Sequence, residues 1–171
     1  MLEASRILKL NISFQLDDGY KVLLRKCEAL FLGKMKGAKN ILYELDSEGF
    51  QSLDHLTVQR NDEIQYIIKS MGVLSSIFPI LESINLSYMI NLERICYTRL
   101  PAGSFRNFRV VKVRECCNLE FVFSSSMVGC FSHLQEMEIV DCEKMSEIIG
   151  IERKEEIVTK TLCSQNSVLS L

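Results

Sequence analysis

Between Phe78 and Ile148 one arrangement of apolar positions is written three times. Phe78, Leu81, Ile84, Leu86, Met89, Leu92 and Ile95 form the first copy. The second is Phe105, Phe108, Val111, Val113, Cys116, Leu119 and Val122, 27 residues on. The third is Phe131, Leu134, Met137, Ile139, Cys142, Met145 and Ile148, after 26 more. Seven positions hold their offsets while the residues between them vary, which marks a chain of stacked structural repeats. Upstream, Phe50, Leu53, Leu56, Val58, Asn61 and Ile64 make a clean copy. Leu24, Cys27, Leu30, Leu32 and Met35 make a weaker one, and Leu2, Ser5, Leu8, Leu10, Ser13 and Leu16 a degenerate first one. The first inward positions, Leu8, Leu30, Leu56, Ile84, Val111 and Met137, are spaced by 22, 26, 28, 27 and 26 residues. Six repeats are expected.

The middle of each copy alternates with period two, as a short strand does. The spacing predicts parallel strands near residues 7–10, 29–32, 55–58, 83–86, 110–113 and 136–139, with Leu56, Ile84, Val111 and Met137 stacked inward. Three residues past Val58, Leu86, Val113 and Ile139, the positions Asn61, Met89, Cys116 and Cys142 fall where the chain turns away from the strand. No copy can bury its apolar face alone, so neighbours must stack. The expected fold is therefore an α/β solenoid, a horseshoe arc with a parallel sheet of about six short strands and irregular or short-helical outer segments. Asp17-Asp18-Gly19 starts a short helix through Tyr20, Leu23 and Leu24, and Phe123 to Met127 forms another helical turn. Met71-Gly72 and Leu100 to Gly103 read as loops. Residues 1–150 are expected to form the repeat domain. Residues 151–171 lack the start of a seventh copy and are expected to be a frayed or disordered tail.

Composition narrows the function classes. A chain of 171 residues, 47% hydrophobic, is enough for one domain with a continuous core. A net charge of -2 gives no electrostatic footprint for nucleic acid. No apolar run reaches the roughly 18 residues of a membrane span, and the start lacks the apolar centre of a secretory signal. Met1 opens inside a repeat, so a piece of a longer protein is expected. Seven cysteines, an odd number, argue against a disulfide framework. Cys27, Cys116 and Cys142 sit at core positions, where free Cys behaves as a small hydrophobe. Reduced thiols and an intracellular setting are expected. The sequons at Asn11 and Asn85 are attributed to chance, the second lying within a strand.

Candidate chemistry is thin. Gly33 to Lys39 lacks the G-x-x-x-x-G-K-[ST] spacing of a phosphate loop and reads as a strand exit. Cys116, Cys117, Cys130, His133 and Cys142 lack the paired spacing of a zinc site. His55 and His133 are the only histidines. His55 is expected on the exposed strand face with no compelling nucleophile beside it, and His133 in a strand-entry loop. No enzyme activity, cofactor or metal site is expected. The outward rows carry more information. Arg109, Lys112 and Arg114 are basic and face the acidic row of Glu136 and Glu138, with Lys112 and Glu138 sharing a register position. Tyr88, Arg109, Lys112, Arg114, Glu136 and Glu138 are the candidate protein-binding residues. Simple pairing between the two strands is the competing reading.

The residues between the repeat positions carry a resemblance. Phe78-Pro79-Ile80-Leu81-Glu82 opens a repeat, Asn91-Leu92-Glu93-Arg94-Ile95-Cys96 closes it, and Leu100-Pro101-Ala102-Gly103-Ser104-Phe105 opens the next. Cys117-Asn118-Leu119, Leu134 to Ile139, Gly37 to Asp46 and Glu63 to Ile67 continue the series. Over about residues 5–149 this resembles the leucine-rich-repeat region of plant coiled-coil nucleotide-binding disease resistance proteins. The resemblance implies a non-catalytic recognition region of a cytoplasmic immune receptor. Its implied partners are a pathogen effector or guarded host protein, and the nucleotide-binding domain of the same receptor, which it restrains. ADP or ATP belongs to that domain, whose motifs have no counterpart in this sequence. A leucine-rich-repeat adaptor of a ubiquitin ligase, or a repeat-type enzyme inhibitor, are the alternatives. The first needs an F-box-like segment and the second more regular repeats with long outer helices.

Overall fold

The computed structural model describes residues 6–11, 18–41, 45–46, 48–69, 75–97, 99–151 and 166–170. Leu2, Ser5, Ser13 and Leu16 of the first copy, the Asp17 cap, the Met71-Gly72 turn and most of the stretch after residue 151 lie outside them. In chain order the elements are β1 (Ile7–Asn11), α1 (Asp18–Lys26), β2 (Ala29–Gly33), β3 (His55–Gln59), β4 (Tyr66–Ile68), β5 (Ser83–Ser87) and β6 (Arg94–Cys96). Then follow β7 (Val110–Arg114), β8 (Phe121–Ser124), a 3-10 helix (Ser125–Cys130), β9 (Glu136–Val140), β10 (Glu147–Gly150) and β11 (Asn166–Ser170). The architecture is mixed α/β, with mostly parallel sheets and few helices, and is compatible with a leucine-rich-repeat arrangement.

All six repeat strands form, each within a residue of its expected position. They lie side by side in chain order, β1-β2-β3-β5-β7-β9, every pair parallel. The register follows from the apolar pattern, since a slip of one residue would turn every inward side chain to solvent. Leu8, Leu30, Leu56, Ile84, Val111 and Met137 are therefore direct neighbours, as are Leu10, Leu32, Val58, Leu86, Val113 and Ile139. A row of phenylalanines runs behind them. Phe50 stacks on Phe78 at 5.2 Å, Phe78 tilts on Phe105 at 5.5 Å, and Phe105 meets Phe108 edge-on at 5.3 Å.

Strands β2, β3, β5, β7 and β9 end in the same way. Lys34, Arg60, Tyr88, Glu115 and Asp141, the residues directly after β2, β3, β5, β7 and β9, have φ between 50 and 56°. That left-handed conformation costs a non-glycine residue about 1–2 kcal/mol. It is held because the amide still continues the ladder: Arg60 donates to Ser87 O at 3.0 Å, Tyr88 to Arg114 O at 3.0 Å and Glu115 to Val140 O at 2.9 Å. The reversal also turns the next residue, Met35, Asn61, Met89, Cys116 or Cys142, into the core. Asn61 is fully buried, and its Oδ1 accepts the Glu63 amide at 3.3 Å.

The outer segments differ from expectation. Four of them are not irregular but form a second parallel sheet in the order β10-β8-β6-β4. The cause is the first sheet: it fixes neighbouring repeats at strand spacing, about 4.8 Å, so their return segments run alongside at that distance too. Runs such as Tyr66-Ile67-Ile68 and Phe121-Val122-Phe123 favour extended backbone, and Glu93 N donates to Gln65 O at 3.0 Å and Glu120 N to Glu93 O at 3.2 Å. Gly150 ends β10 where an added methyl would collide with the Phe121 ring. Helix α1 forms at the expected Asp18 and buries Leu24, but Leu23 points to solvent. The second helical turn starts at Ser125 rather than Phe123, because β8 uses Phe121 to Ser124. Beyond β9, β11 pairs antiparallel to it and so does not continue the repeat.

Candidate interaction surface

Alternation along each strand leaves one face of the first sheet turned outward. Its rows, read across neighbouring strands, are His55-Ser83-Val110-Glu136, Thr57-Asn85-Lys112-Glu138 and Gln59-Ser87-Arg114-Val140. Rows of this kind place side chains of independent chemistry about 4.8 Å apart on a rigid backbone.

The candidate binding residues divide into two groups. Lys112, Arg114, Glu136 and Glu138 come together as an ion-pair network between β7 and β9. Lys112 Nζ lies 2.8 Å from Glu136 Oε1 and 3.8 Å from Glu138 Oε2, and Arg114 Nη2 pairs with Glu138 Oε1. Its hydrogen bond to Glu136 holds the Lys112 ammonium above the ordinary lysine range. Glu138 is only 9% exposed, although its position reads as outward. Arg114 and Lys112 lie over it, and β11 pairs on its open side. The competing reading, pairing across the strands, thus describes the contacts of these four. Tyr88 and Arg109 stand outside the network. Tyr88 is 45% exposed at its left-handed position, with the Arg60 guanidinium 5.7 Å from its ring centre. Arg109 is exposed at the β7 entry, and among the described residues no carboxylate pairs with it.

One expectation about chemistry needs correcting. His55 does have a hydroxyl beside it in register: its Nδ1 lies 2.8 Å from Ser83 Oγ. The sequence carried the signal, because the equal repeat positions of His55 and Ser83 make them direct neighbours. Among the described residues no carboxylate hydrogen-bonds His55, so the orienting third group of a nucleophile–base pair is not supplied. Asp54, next to it, has its carboxyl pushed up by burial. His133 is exposed, near the β9 entry.

Among the described cysteines Cys27, Cys96, Cys116 and Cys142 are buried, and Cys117 and Cys130 are half-buried. Cys27, Cys96, Cys116, Cys117, Cys130 and Cys142 are free thiols. Cys116 and Cys142 are neighbours at the strand-exit corner, where their Sγ atoms lie 3.4 Å from Arg114 O and 3.5 Å from Val140 O. Hydrogen bonding to Cys142 and burial push the Cys116 thiol well above its ordinary range. Burial pushes Cys27 up to about 11. Among the described residues no three His, Cys, Asp or Glu side chains converge on a common point. In the Gly33 to Lys39 stretch, the Gly37 amide donates to Glu63 Oε2 at 2.6 Å, so a carboxylate of the protein fills the place an anion would take.

No helix among the described residues is long and apolar enough to cross a membrane. The chain matches no curated protein and no solved structure. The family model for leucine-rich repeats of plant disease resistance proteins of the RPS2-like type matches residues 80–171, more than half of the sequence. With its repeat strands, shared turns and buried rows in place, the chain belongs to the RPS2-like leucine-rich-repeat family of plant disease resistance proteins.

Proposed function

We propose that this chain is a non-catalytic recognition region of an intracellular, cytoplasmic plant immune receptor. On this reading residues 1–150 form a solenoid with the arc of a horseshoe, and residues 151–171 are a tail outside the repeat pattern. The partners are a pathogen effector or guarded host protein, and the receptor's own nucleotide-binding domain, which the repeats restrain at rest. ADP or ATP would bind in that domain and not here.

The observation that supports this most is the outward face itself. Rows of polar, aromatic and charged side chains are held at fixed spacing by a sheet whose other side packs against the core. Such a surface recognises by position, and its contacts can differ from repeat to repeat without disturbing the fold. Tyr88 and Arg109 are the residues with most to offer a partner: a large exposed ring and a guanidinium with no described carboxylate. Both types are enriched where binding energy concentrates.

The test uses the full-length receptor. Arg109→Glu combined with Arg114→Glu is expected to abolish recognition or to release autoactivity while the protein accumulates normally. Because Arg114 also pairs with Glu138, Arg114→Glu with Glu138→Arg should keep the ion pair and still impair recognition. Normal recognition and a silent resting state in both variants would reduce the patch to solvated surface.

A further inference from the structure

A second surface lies at the opposite end of the sheet, where β1, β2 and β3 end. A cleft of about 340 Å³ opens there, and Lys9, Asn11, Phe31, Lys34, Gln59 and Arg60 supply its outward side chains. Its floor exists because β2 ends in glycine. Asn11, Gly33 and Gln59 are direct neighbours across three strands, and only the middle one lacks a side chain. A Cβ on Gly33 would sit 3.7 Å from Asn11 Oδ1 and 3.9 Å from Gln59 Cγ, so the gap could hold a side chain but does not.

Three cations rim the gap. Lys34 and Arg60 occupy the left-handed position after their strands, which carries their side chains from the strand ends. Lys9 lies 5.1 Å from the centre of the Phe31 ring. Among the described residues no carboxylate lies within ion-pair distance of Lys9, Lys34 or Arg60, whereas Lys112 and Arg114 on the same face are both paired. Along the strand ends the left-handed residues then run Lys34, Arg60, Tyr88, Glu115, Asp141. The row passes from cationic through aromatic to anionic within five repeats, so an anionic partner is attracted at one end and repelled at the other.

We infer that the Lys9–Lys34–Arg60 cleft is a docking site for an acidic peptide segment, one that places carboxylates on the three cations and an apolar side chain against Phe31. A multidentate carboxylate ligand suits three separate charges around a gap of this size better than a single compact anion does. The site adjoins the Tyr88–Arg109 surface through Arg60, whose guanidinium lies 5.7 Å from the Tyr88 ring centre, and can be tested without the receptor.

The experiment is fluorescence anisotropy on the full 171-residue chain, with a labelled glutamate-rich peptide carrying one phenylalanine, at low ionic strength. Asparagine tolerates the left-handed conformation, so Lys34→Asn with Arg60→Asn removes charge without straining the turns. The pair should weaken binding at least about tenfold, since two of the three charge contacts are lost. Gly33→Leu, which fills the floor and leaves every charge in place, should weaken it comparably. Arg106→Asn with Lys144→Asn makes the same change in net charge at exposed positions outside the cleft and should leave binding nearly unchanged. Three results would overturn the proposal. They are no binding by the unaltered chain, equal losses in the cleft and control pairs, or displacement by inorganic phosphate far beyond that of chloride at matched ionic strength.

Discussion

The middle repeats and the last one use the same positions but do not seal them equally. Leu30, Leu56, Ile84 and Val111 are each exposed by 1% or less, whereas Met137, the next in that row, reaches 6%. In the neighbouring row Val58, Leu86 and Val113 are closed off completely, while Ile139 is only partly buried. Leu8, at the other end, is partly buried as well. Composition does not explain this, since Ile139 is as apolar as Leu86. Among the described residues a middle repeat has another repeat on each side to cover its inward face, whereas the β9 repeat has one repeat beside it and, on the other side, the antiparallel strand β11, which does not carry the repeat pattern. Stability in such an array is close to a sum over neighbours, so a repeat covered by fewer equivalent neighbours is less well sealed.

The same truncation at one register position should act very differently in the two regions. Leu86→Ala should cost about 3–5 kcal/mol, because the void is enclosed on all sides. Ile139→Ala should cost roughly 1–2 kcal/mol, because part of that side chain already meets solvent. Chemical denaturation of the two variants checks this, and equal losses would mean that the end repeat is as well sealed as the middle.

A second test uses pH. Cys27 lies in the second repeat with its thiol pushed up from the ordinary 9.0 to about 11 by burial. The folded state therefore keeps its proton where the unfolded chain has lost it. Stability should be full below pH 9 and should fall as pH rises towards 11, by about 2 kcal/mol. Cys27→Ala should flatten the alkaline limb of the stability curve; an unchanged limb would assign the loss to other groups.

The smallest effect concerns the turns. At Glu115, Gly relieves the left-handed strain and should be neutral or stabilising by up to about 1 kcal/mol, whereas Val should destabilise by about 1–2 kcal/mol. The Gly–Val contrast, measured by thermal unfolding, should persist at Asp141 in the less sealed repeat, because the turn is a local feature. If it vanished there, the last turn would not be held as the middle ones are.

Most of the first sheet was legible because period-two alternation and a constant repeat length act together. One fixes which side chains face inward and the other fixes which strands are neighbours. The second sheet was less legible. Its strands are as short as the three residues Tyr66 to Ile68, too few for alternation to show, and their pairing is imposed by the first sheet. The surface was legible in part. Register alone brings Lys112 opposite Glu138, but not the burial of Glu138, which depends on what lies over it. The His55–Ser83 contact could have been found from the repeat positions. The cleft at Gly33 could not have been found from apolar periodicity, because it depends on a missing side chain.

Equal register at every strand end has a consequence for how such a chain can change by recombination. A crossover between equivalent positions of two repeats removes or adds one whole turn of chain and leaves the flanking hydrogen-bond ladders able to join. Deleting the stretch between Tyr88 and its equivalent Glu115 would set a hybrid repeat beside Arg60 and bring its cation next to an acid. The order of charges along the strand ends would be rewritten in one genetic step, with the apolar rows behind it unaltered. Change by whole repeats can thus reassort the surface without first unmaking the core.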